Sequence, residues 1–506
     1  MIRFLTQARG PNGDKFDLNG AYLVGSDGVP IRAEIEWADG EIRCNKRVAG
    51  PAALSVLWNV PPFGSIMLET TRVVDRDRPY VLPVELARGR LMRISQKRED
   101  WGLFDYPGAD ELYARVDEAK SQFVASMTAA GETAADEKGC EAVRAAVEVG
   151  EALSLFHAGI FLERRRAAKQ FSPRPMGCGV TLRQADEAYR ERLARAFDFV
   201  ALPTSWGVLE PRQGSNAWDL VDPWIAWAAK SKLALRAAPL ISFHKSHIPD
   251  WLHLYEQDFE TVRDLVGAHV RRTVQRLRTY VWAWDVVSGL HAYNPFNYSH
   301  EQLVDLTRMC TLLVKQIAPR STTIVDIVAP WGEYYARNPR TVPPLLFADM
   351  LAVAGINFDA FGLQFYFGVP VDGMFVRDMM QISAMIDRFA NFGKPLHITA
   401  VQVPSGSTPD PTDYWRGAHA PAAAGQWHAK WSEPVQAEWL ERFLEIVLSK
   451  PFVETVTWRD LADTDGHYLP HGGLLRRDLA PKAAYDQLLV LRNQWLPGRD
   501  ATRPRK

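Results

Sequence analysis

The feature that most constrains the fold is a unit repeated through the C-terminal two-thirds of the chain, in which a short apolar run precedes an amphipathic helical pattern. Eight such runs are candidate strands, at 176–180, 199–202, 237–242, 280–287, 323–328, 360–365, 396–401 and 455–458. Eight strands alternating with helices over about 325 residues predict a (β/α)₈ barrel, or TIM barrel, spanning 172–497. A doubly wound open sheet is the alternative, but no glycine-rich nucleotide-binding motif follows any of these runs.

The first third of the chain has two further patterns. Residues 1–107 contain short apolar or alternating runs separated by Gly- and Pro-containing turns, which predict a β-sandwich-like domain with a last strand at 81–86. Residues 108–171 change to helical spacing and predict a helical connector, with a loop at 131–138 between two helices. The polar residues 498–506 are expected to be a disordered tail.

The composition argues against several classes of partner and cofactor. The formal net charge is −1, so no basic field attracts nucleic acid or an anionic membrane. The N-terminus lacks the apolar segment of a secretory signal, and no stretch approaches the ~18 apolar residues of a membrane span, so a cytoplasmic location is expected. The four cysteines have no C-x-x-C spacing and are expected to be buried thiols, and no metal or cofactor is expected.

Short motifs follow the predicted strands at their C-terminal ends, where the functional residues of such barrels lie. They are Trp206 … Glu210-Pro211 … Gly214, His244 … His247 … Pro249 … Trp251, Trp284-Asp285-Val286-Val287, Gly362-Leu363-Gln364, Ile398-Thr399 and Thr457-Trp458. Together and in this order they resemble the motifs of the family 10 glycoside hydrolases, the β-xylanases, over residues 172–490. The resemblance implies a TIM barrel that acts on or binds carbohydrate.

The sequence departs from this family at both catalytic positions. A retaining glycosidase needs two carboxyl groups about 5–5.5 Å apart, one to protonate the leaving oxygen and one to attack the anomeric carbon. The resemblance places the acid/base at Gly289, after Ser288, and the nucleophile at Ala400. Where the family has a histidine that supports the nucleophile, Tyr366 stands here. Because neither Gly nor Ala can transfer a proton or form a glycosyl ester, ordinary xylanase activity is not expected.

Other polar and aromatic residues near the strand ends are candidates for a site. The catalytic residues are unknown, and the candidates for relocated carboxylates are Asp460, Asp463 and Glu333. An oligosaccharide or small glycoside is the expected partner. The expected substrate-binding residues are His244, His247, Gln364, Tyr366, Trp206, Trp331, Trp458 and Arg459.

Three functional hypotheses remain open at this point. The first is a carbohydrate-binding protein that has lost hydrolysis. The second is an active glycosidase, or another carbohydrate enzyme, that uses relocated carboxylates. The third is a structural or assembly protein that forms a homo-oligomer through the N-terminal domain.

Overall fold

The structure, a computed structural model, describes residues 1–8, 15–184 and 186–496, and the expected tail at 498–506 lies outside the described residues. The strands are β1 Ile2–Leu5, β2 Tyr22–Val24, β3 Pro30–Ile31, β4 Ala33–Ala38, β5 Glu41–Lys46, β6 Ala53–Val60, β7 Gly64–Glu69, β8 Tyr80–Val81, β9 Met176–Gly179, β10 Phe199–Pro203, β11 Ala234–Ala238, β12 Val281–Ser288, β13 Thr322–Ile327, β14 Ala360–Tyr366, β15 Leu396–Gln402, β16 Gln426–Trp427 and β17 Val453–Trp458. The helices are α1 Leu82–Asp100, α2 Asp110–Met127, α3 Glu132–Ala168, α4 Glu187–Ala196, α5 Trp206–Leu209, α6 Asp222–Lys230, α7 Phe259–Leu277, α8 His300–Ile317, α9 Tyr334–Arg337, α10 Pro344–Val353, α11 Met379–Ala390, α12 Glu433–Ser449 and α13 Ala483–Trp495.

Eight of the strands close into a barrel. Their order is β10-β11-β12-β13-β14-β15-β17-β9, and each neighbouring pair is parallel. The predicted TIM barrel is therefore confirmed. One strand is displaced: the run at 237–242 was predicted as strand three, whereas β11 begins at Ala234. Pro239 has no N–H to pair, and pairing with β12 resumes at Ile241.

The N-terminal region forms two sheets that share one buried core. The first sheet has the order β4-β5-β1-β8, and the second has the order β16-β7-β6-β2-β3. Buried residues of both sheets, such as Phe4, Ile42 and Val56, belong to the same apolar cluster. Strand β16 comes from the long connection that follows β15, so the barrel supplies one strand of the second sheet. This pairing fixes the N-terminal sheets against the barrel.

Two of the predicted elements in the first third of the chain are wrong. The apolar run at 81–86 was predicted to be a strand, but α1 begins at Leu82 and continues to Asp100. Pro83 suits the first turn of a helix, and the helix-forming residues that follow extend it. The loop predicted at 131–138 is also helical, because α3 begins at Glu132, directly after Gly131 with φ 92°. Gly131 supplies the turn that the longer predicted loop was thought to make.

Helix α3 is long and apolar, and by length and composition it could cross a membrane. In the structure it packs against α1, α2, α11 and α12. Its buried residues include Val143, Val147 and Leu153. These contacts account for its apolar composition.

Candidate functional site

The carboxyl ends of the barrel strands surround a small polar cavity of about 120 Å³. Of the residues expected to bind substrate, five line it: His244, His247, Gln364, Tyr366 and Arg459. Asp460, a candidate carboxylate, lines it as well. The sequence-based expectation and the structure therefore converge on the same end of the barrel.

Gly289, which the resemblance places at the family's acid/base position, follows directly after β12 with φ 66°. Its carbonyl accepts the amide N–H of Tyr293 at 2.8 Å, so the chain turns back on itself. A Cβ added at Gly289 would lie 2.8 Å from the Tyr293 ring and 3.0 Å from Val328. The backbone conformation thus disfavours a glutamate at this position, and the tyrosine ring occupies the space that its side chain would need.

Ala400, which the resemblance places at the family's nucleophile position, lies in β15 opposite Gln364 of β14. It is only 3% exposed and belongs to an apolar cluster with Tyr366, Met374 and Leu469. It also lines the polar cavity, to which it presents a methyl group. A methyl group cannot attack an anomeric carbon.

A carboxylate that the sequence reading missed lies between the two substituted positions. Asp326, at the end of β13, is 1% exposed and lines the cavity. It accepts hydrogen bonds from Ser288, which precedes Gly289, at 2.6 Å, from Thr399, which precedes Ala400, and from Gln364. Burial raises the pKa of Asp326, although these hydrogen bonds oppose the rise. A single acidic residue in the apolar run 323–328 was the signal that could have identified it.

A second acidic residue, Asp285, lines the floor of the cavity. Burial raises its pKa to about 7, partly opposed by Arg236 and reinforced by Asp326. The Arg236 guanidinium lies 3.4 Å from Asp285 Oδ1 and donates to the Thr457 hydroxyl at 2.8 Å. Asp285 is therefore only partly ionised near neutral pH.

The two histidines on the wall of the cavity are neutral at pH 7. Burial lowers the pKa of His244 to about 4, with a further contribution from Arg459, and lowers that of His247 well below its usual value. His244 Nδ1 is 2.7 Å from the Ser246 hydroxyl, and its ring packs edge-on against Tyr293. Neutral imidazoles can donate and accept hydrogen bonds without imposing a charge on a ligand.

Two of the tyrosines that line the cavity, Tyr366 and Tyr468, pack against each other with ring centroids 4.7 Å apart. Tyr414, which does not line the cavity, lies 5.6 Å from the Tyr468 ring. The Arg459 guanidinium stands over the Tyr468 ring at 5.2 Å. Asp460 accepts the backbone N–H of Tyr468 at 2.9 Å, which fixes this loop. The cavity wall is therefore both aromatic and polar at Tyr366, Tyr468 and Arg459.

The remaining candidate residues do not line the cavity. Trp206 and Trp458 are each 2% exposed and donate their indole N–H groups to Glu210 and to the Gly472 carbonyl. Asp463 is bound to Lys482 at 2.6 Å and to the Gly473 amide at 2.7 Å. These three side chains stabilise the barrel and its loops.

Glu333 and Trp331 lie between the barrel and the N-terminal sheets. Glu333 is fully buried and forms an ion pair of 2.6 Å with Arg377, which also donates to the Tyr22 hydroxyl. The Arg377 guanidinium covers the Trp331 ring at 4.3 Å. Within the described residues, no three His, Cys, Asp or Glu side chains are grouped as metal ligands.

Comparisons with known proteins give one family match and several similar solved structures. Residues 164–305 match the family model described as glycosyl hydrolase family 10, which confirms the resemblance seen in the motifs. A family 10 structure from Paenibacillus barcinonensis is 18% identical, with 67% of this chain and 99% of that one covered and a TM-score of 0.48. Xylanase 10B from Thermotoga maritima is 15% identical (65% and 98% covered, TM-score 0.49). Xylanase 10B from Thermotoga petrophila, solved with xylobiose, is 16% identical (65% and 97% covered, TM-score 0.46).

Proposed function

We propose that the barrel mouth binds a carbohydrate without cleaving it by the retaining mechanism of two carboxyl groups. The observation that supports this most strongly is that no carboxyl group stands at either Gly289 or Ala400, the two positions that the resemblance assigns to catalysis. The Tyr293 ring lies against Gly289, and Ala400 presents only a methyl group to the cavity. Double displacement needs a proton donor and a nucleophile on opposite sides of the bond, and neither position supplies one.

The composition of the cavity supports a sugar as the ligand. The matched family model covers strand ends that contribute His244 and His247. These neutral imidazoles, the Gln364 amide and the Tyr366 hydroxyl offer donors and acceptors for sugar hydroxyl groups, and the tyrosine rings offer faces for C–H groups. We assign substrate binding to these four residues and to Arg459.

The size of the cavity limits how much of the ligand enters it. Ligand pockets commonly have volumes of about 300–1,000 Å³, whereas this cavity has about 120 Å³. The cavity therefore fits one terminal sugar residue or a small glycoside better than the middle of a polymer chain.

We also propose a cytoplasmic location. The four cysteines are free thiols, three of them buried, which supports this location.

Calorimetric titration with β-linked oligosaccharides, xylobiose and xylotriose among them, tests this proposal. We expect saturable binding, and about fivefold or greater weakening in Tyr366→Phe, which removes one hydroxyl from the cavity. Tyr280→Phe is the matched control, because Tyr280 is 52% exposed and lies outside the cavity. Absence of binding to the whole panel, or equal affinity of the two variants, would contradict the assignment.

A second candidate function is catalysis by relocated carboxyl groups, which the position of Asp326 favours. Asp326 is hydrogen-bonded to the residue before each substituted position, and Asp285 faces it with a pKa of about 7. An inverting enzyme tolerates carboxyl groups about 6.5–9.5 Å apart. This candidate requires turnover that Asp326→Asn abolishes while Asp463→Asn retains it. Turnover that survives Asp326→Asn would eliminate it.

A further inference from the structure

A larger cavity lies on the outside of the barrel, away from the mouth. It has a volume of about 920 Å³ and forms a groove between α1 and α11, closed on one side by the N-terminal sheets. Both helices pack against α3. One face of α11, with Gln381, Ala384, Met385 and Arg388 at helical spacing, lines the groove. The groove shares no lining residue with the mouth cavity. Its volume is within the range of small-molecule sites.

Most of the charged side chains that line the groove are paired within the protein. The ion pairs are Arg90–Asp378 at 2.5 Å, Arg93–Glu69 at 2.5 Å, Arg377–Glu333 at 2.6 Å, Lys450–Asp387 at 2.5 Å and Lys97–Asp387 at 3.1 Å. Arg72 and Arg388 differ from these. Within the described part of the chain, neither has a carboxylate partner at ion-pair distance.

The guanidinium groups of Arg72 and Arg388 converge on one point. The Nη2 atom of each lies 3.4 Å from the position that a Cβ would take at Gly28. Arg72 uses Nε to donate to the Gly25 carbonyl at 2.8 Å, and its Nη atoms remain available. Arg388 has no hydrogen bond or ion pair among the described residues. The carboxylate nearest along this turn, Asp27, accepts the Val29 amide N–H at 3.0 Å.

Two guanidinium groups held together repel each other unless an anion lies between them. Desolvation lowers the pKa of Arg388; Glu69 opposes this, and the nearby Arg72 adds to it. An anionic ligand would reverse the repulsion, because a guanidinium presents a planar fork of N–H donors that matches phosphate oxygens. The groove is much larger than a free phosphate ion, so it has room for the rest of a molecule.

The part of the groove near Trp101 can hold the rest of such a ligand. Asp387, adjacent to Arg388, accepts the indole N–H of Trp101 at 3.2 Å. Trp101 is half-buried and stacks on His157 with ring centroids 4.4 Å apart. The exposed amides of Gln96 and Asn391 also line the groove. The site therefore combines an anion-binding end with an aromatic and polar end.

We propose that this groove binds a phosphorylated small molecule, with its phosphate held by Arg72 and Arg388 and its body directed along α11 toward Trp101. The shared chemistry is a phosphate monoester on a polar body, as in a sugar phosphate or a nucleotide. The inference is independent of the function proposed for the barrel mouth.

Calorimetric titration of the full chain tests the proposal with glucose 6-phosphate, adenosine monophosphate, inorganic phosphate and glucose as probes. We expect at least one of the two organic phosphates to bind about tenfold or more tightly than inorganic phosphate and glucose. Arg72→Gln and Arg388→Gln should each weaken that binding about tenfold. Although the groove desolvates part of Arg388, both arginine side chains contact solvent and neither has an ion pair among the described residues, so unchanged thermal unfolding is expected for the variants.

Arg271→Gln serves as the matched control, since Arg271 is an exposed arginine of α7 that lines neither cavity. Three results would overturn the proposal. They are the absence of binding by both organic phosphates, equal affinity for inorganic phosphate, and affinity in Arg388→Gln that matches Arg271→Gln. The relative affinities of the sugar phosphate and the nucleotide distinguish the two classes of ligand.

Discussion

The ring of Tyr293 occupies the space next to Gly289 into which a side chain at that position would extend, with its Cδ2 atom 2.8 Å from the ideal Cβ site. The turn that joins the two residues is held by the Tyr293 amide and the Gly289 carbonyl. The Tyr293 ring thus occupies the space that a longer side chain at this position would need.

Replacing Gly289 by alanine should therefore destabilise the protein by about 1–3 kcal/mol, through backbone strain and contact with Tyr293. Gly40→Ala is the matched control: Gly40 has a similar φ of 80°, but no atom lies within 4 Å of its added Cβ. Urea unfolding of both variants measures the difference. Equal losses of stability in the two variants would show that contact with Tyr293 does not destabilise Gly289→Ala.

Glu333 should prove to be a stabilising residue. Glu333→Gln leaves Arg377 buried without its charge partner, so we expect a loss of about 3–5 kcal/mol in the free energy of unfolding. Asp465→Asn, which breaks an exposed ion pair with Arg416, should change stability by less than about 1 kcal/mol. Denaturant titrations compare the two variants. A Glu333→Gln variant as stable as Asp465→Asn would refute the importance of the buried pair.

The pair of His467 and Asp410, which are 3.0 Å apart, should make stability depend on pH. His467 Nδ1 lies 2.8 Å from the Thr464 carbonyl and donates to it, so Nε2 faces Asp410 with a proton when the ring is charged. Burial alone would lower the pKa of His467, but the Asp410 carboxylate beside it raises the pKa. Burial alone would raise the pKa of Asp410, but the His467 ring beside it and the hydrogen bonds from Thr412 hold the pKa well below its usual range.

The signs of these shifts define the pH window. The contribution of His467 is complete below its unfolded pKa of about 6.5 and is lost as pH rises through the higher folded value. The contribution of Asp410 is complete above about pH 4 and is lost as pH falls further. We expect the stability difference between wild type and His467→Gln to be larger near about pH 5.5 than near about pH 8.5. A difference independent of pH would argue against an ionised pair.

Much of the barrel could be predicted from the sequence, because eight apolar runs of strand length alternate with amphipathic helices. The N-terminal part was less predictable. The apolar run at 81–86 is compatible with a strand or with a buried helix, and only its packing in the folded protein selects the helix α1. The pairing of β16 with β7 joins segments far apart in the chain and has no local signal.

Features of the site that depend on short motifs could also be predicted from the sequence, whereas features that depend on contacts between distant segments could not. The assignment of Gly289 and Ala400 to the family's two catalytic positions is a prediction from motif order alone. The contacts of Asp326 with Ser288 and Thr399 require the barrel to close, so spacing along the chain could not reveal them. Residue type also cannot distinguish a tryptophan that stacks on a ligand from one that packs in the core, and Trp206 and Trp458 are of the second kind.

The most direct test of the central claim is to incubate the protein, at saturating concentration, with the oligosaccharide that it binds most tightly. Chromatography with mass detection measures the chain length of the recovered sugar, and proton NMR measures the anomeric configuration of any new reducing end. We expect the oligosaccharide to be recovered at its full length. Shorter products released with retention of anomeric configuration would contradict the proposal, since that outcome requires a pair of carboxyl groups that Gly289 and Ala400 do not supply.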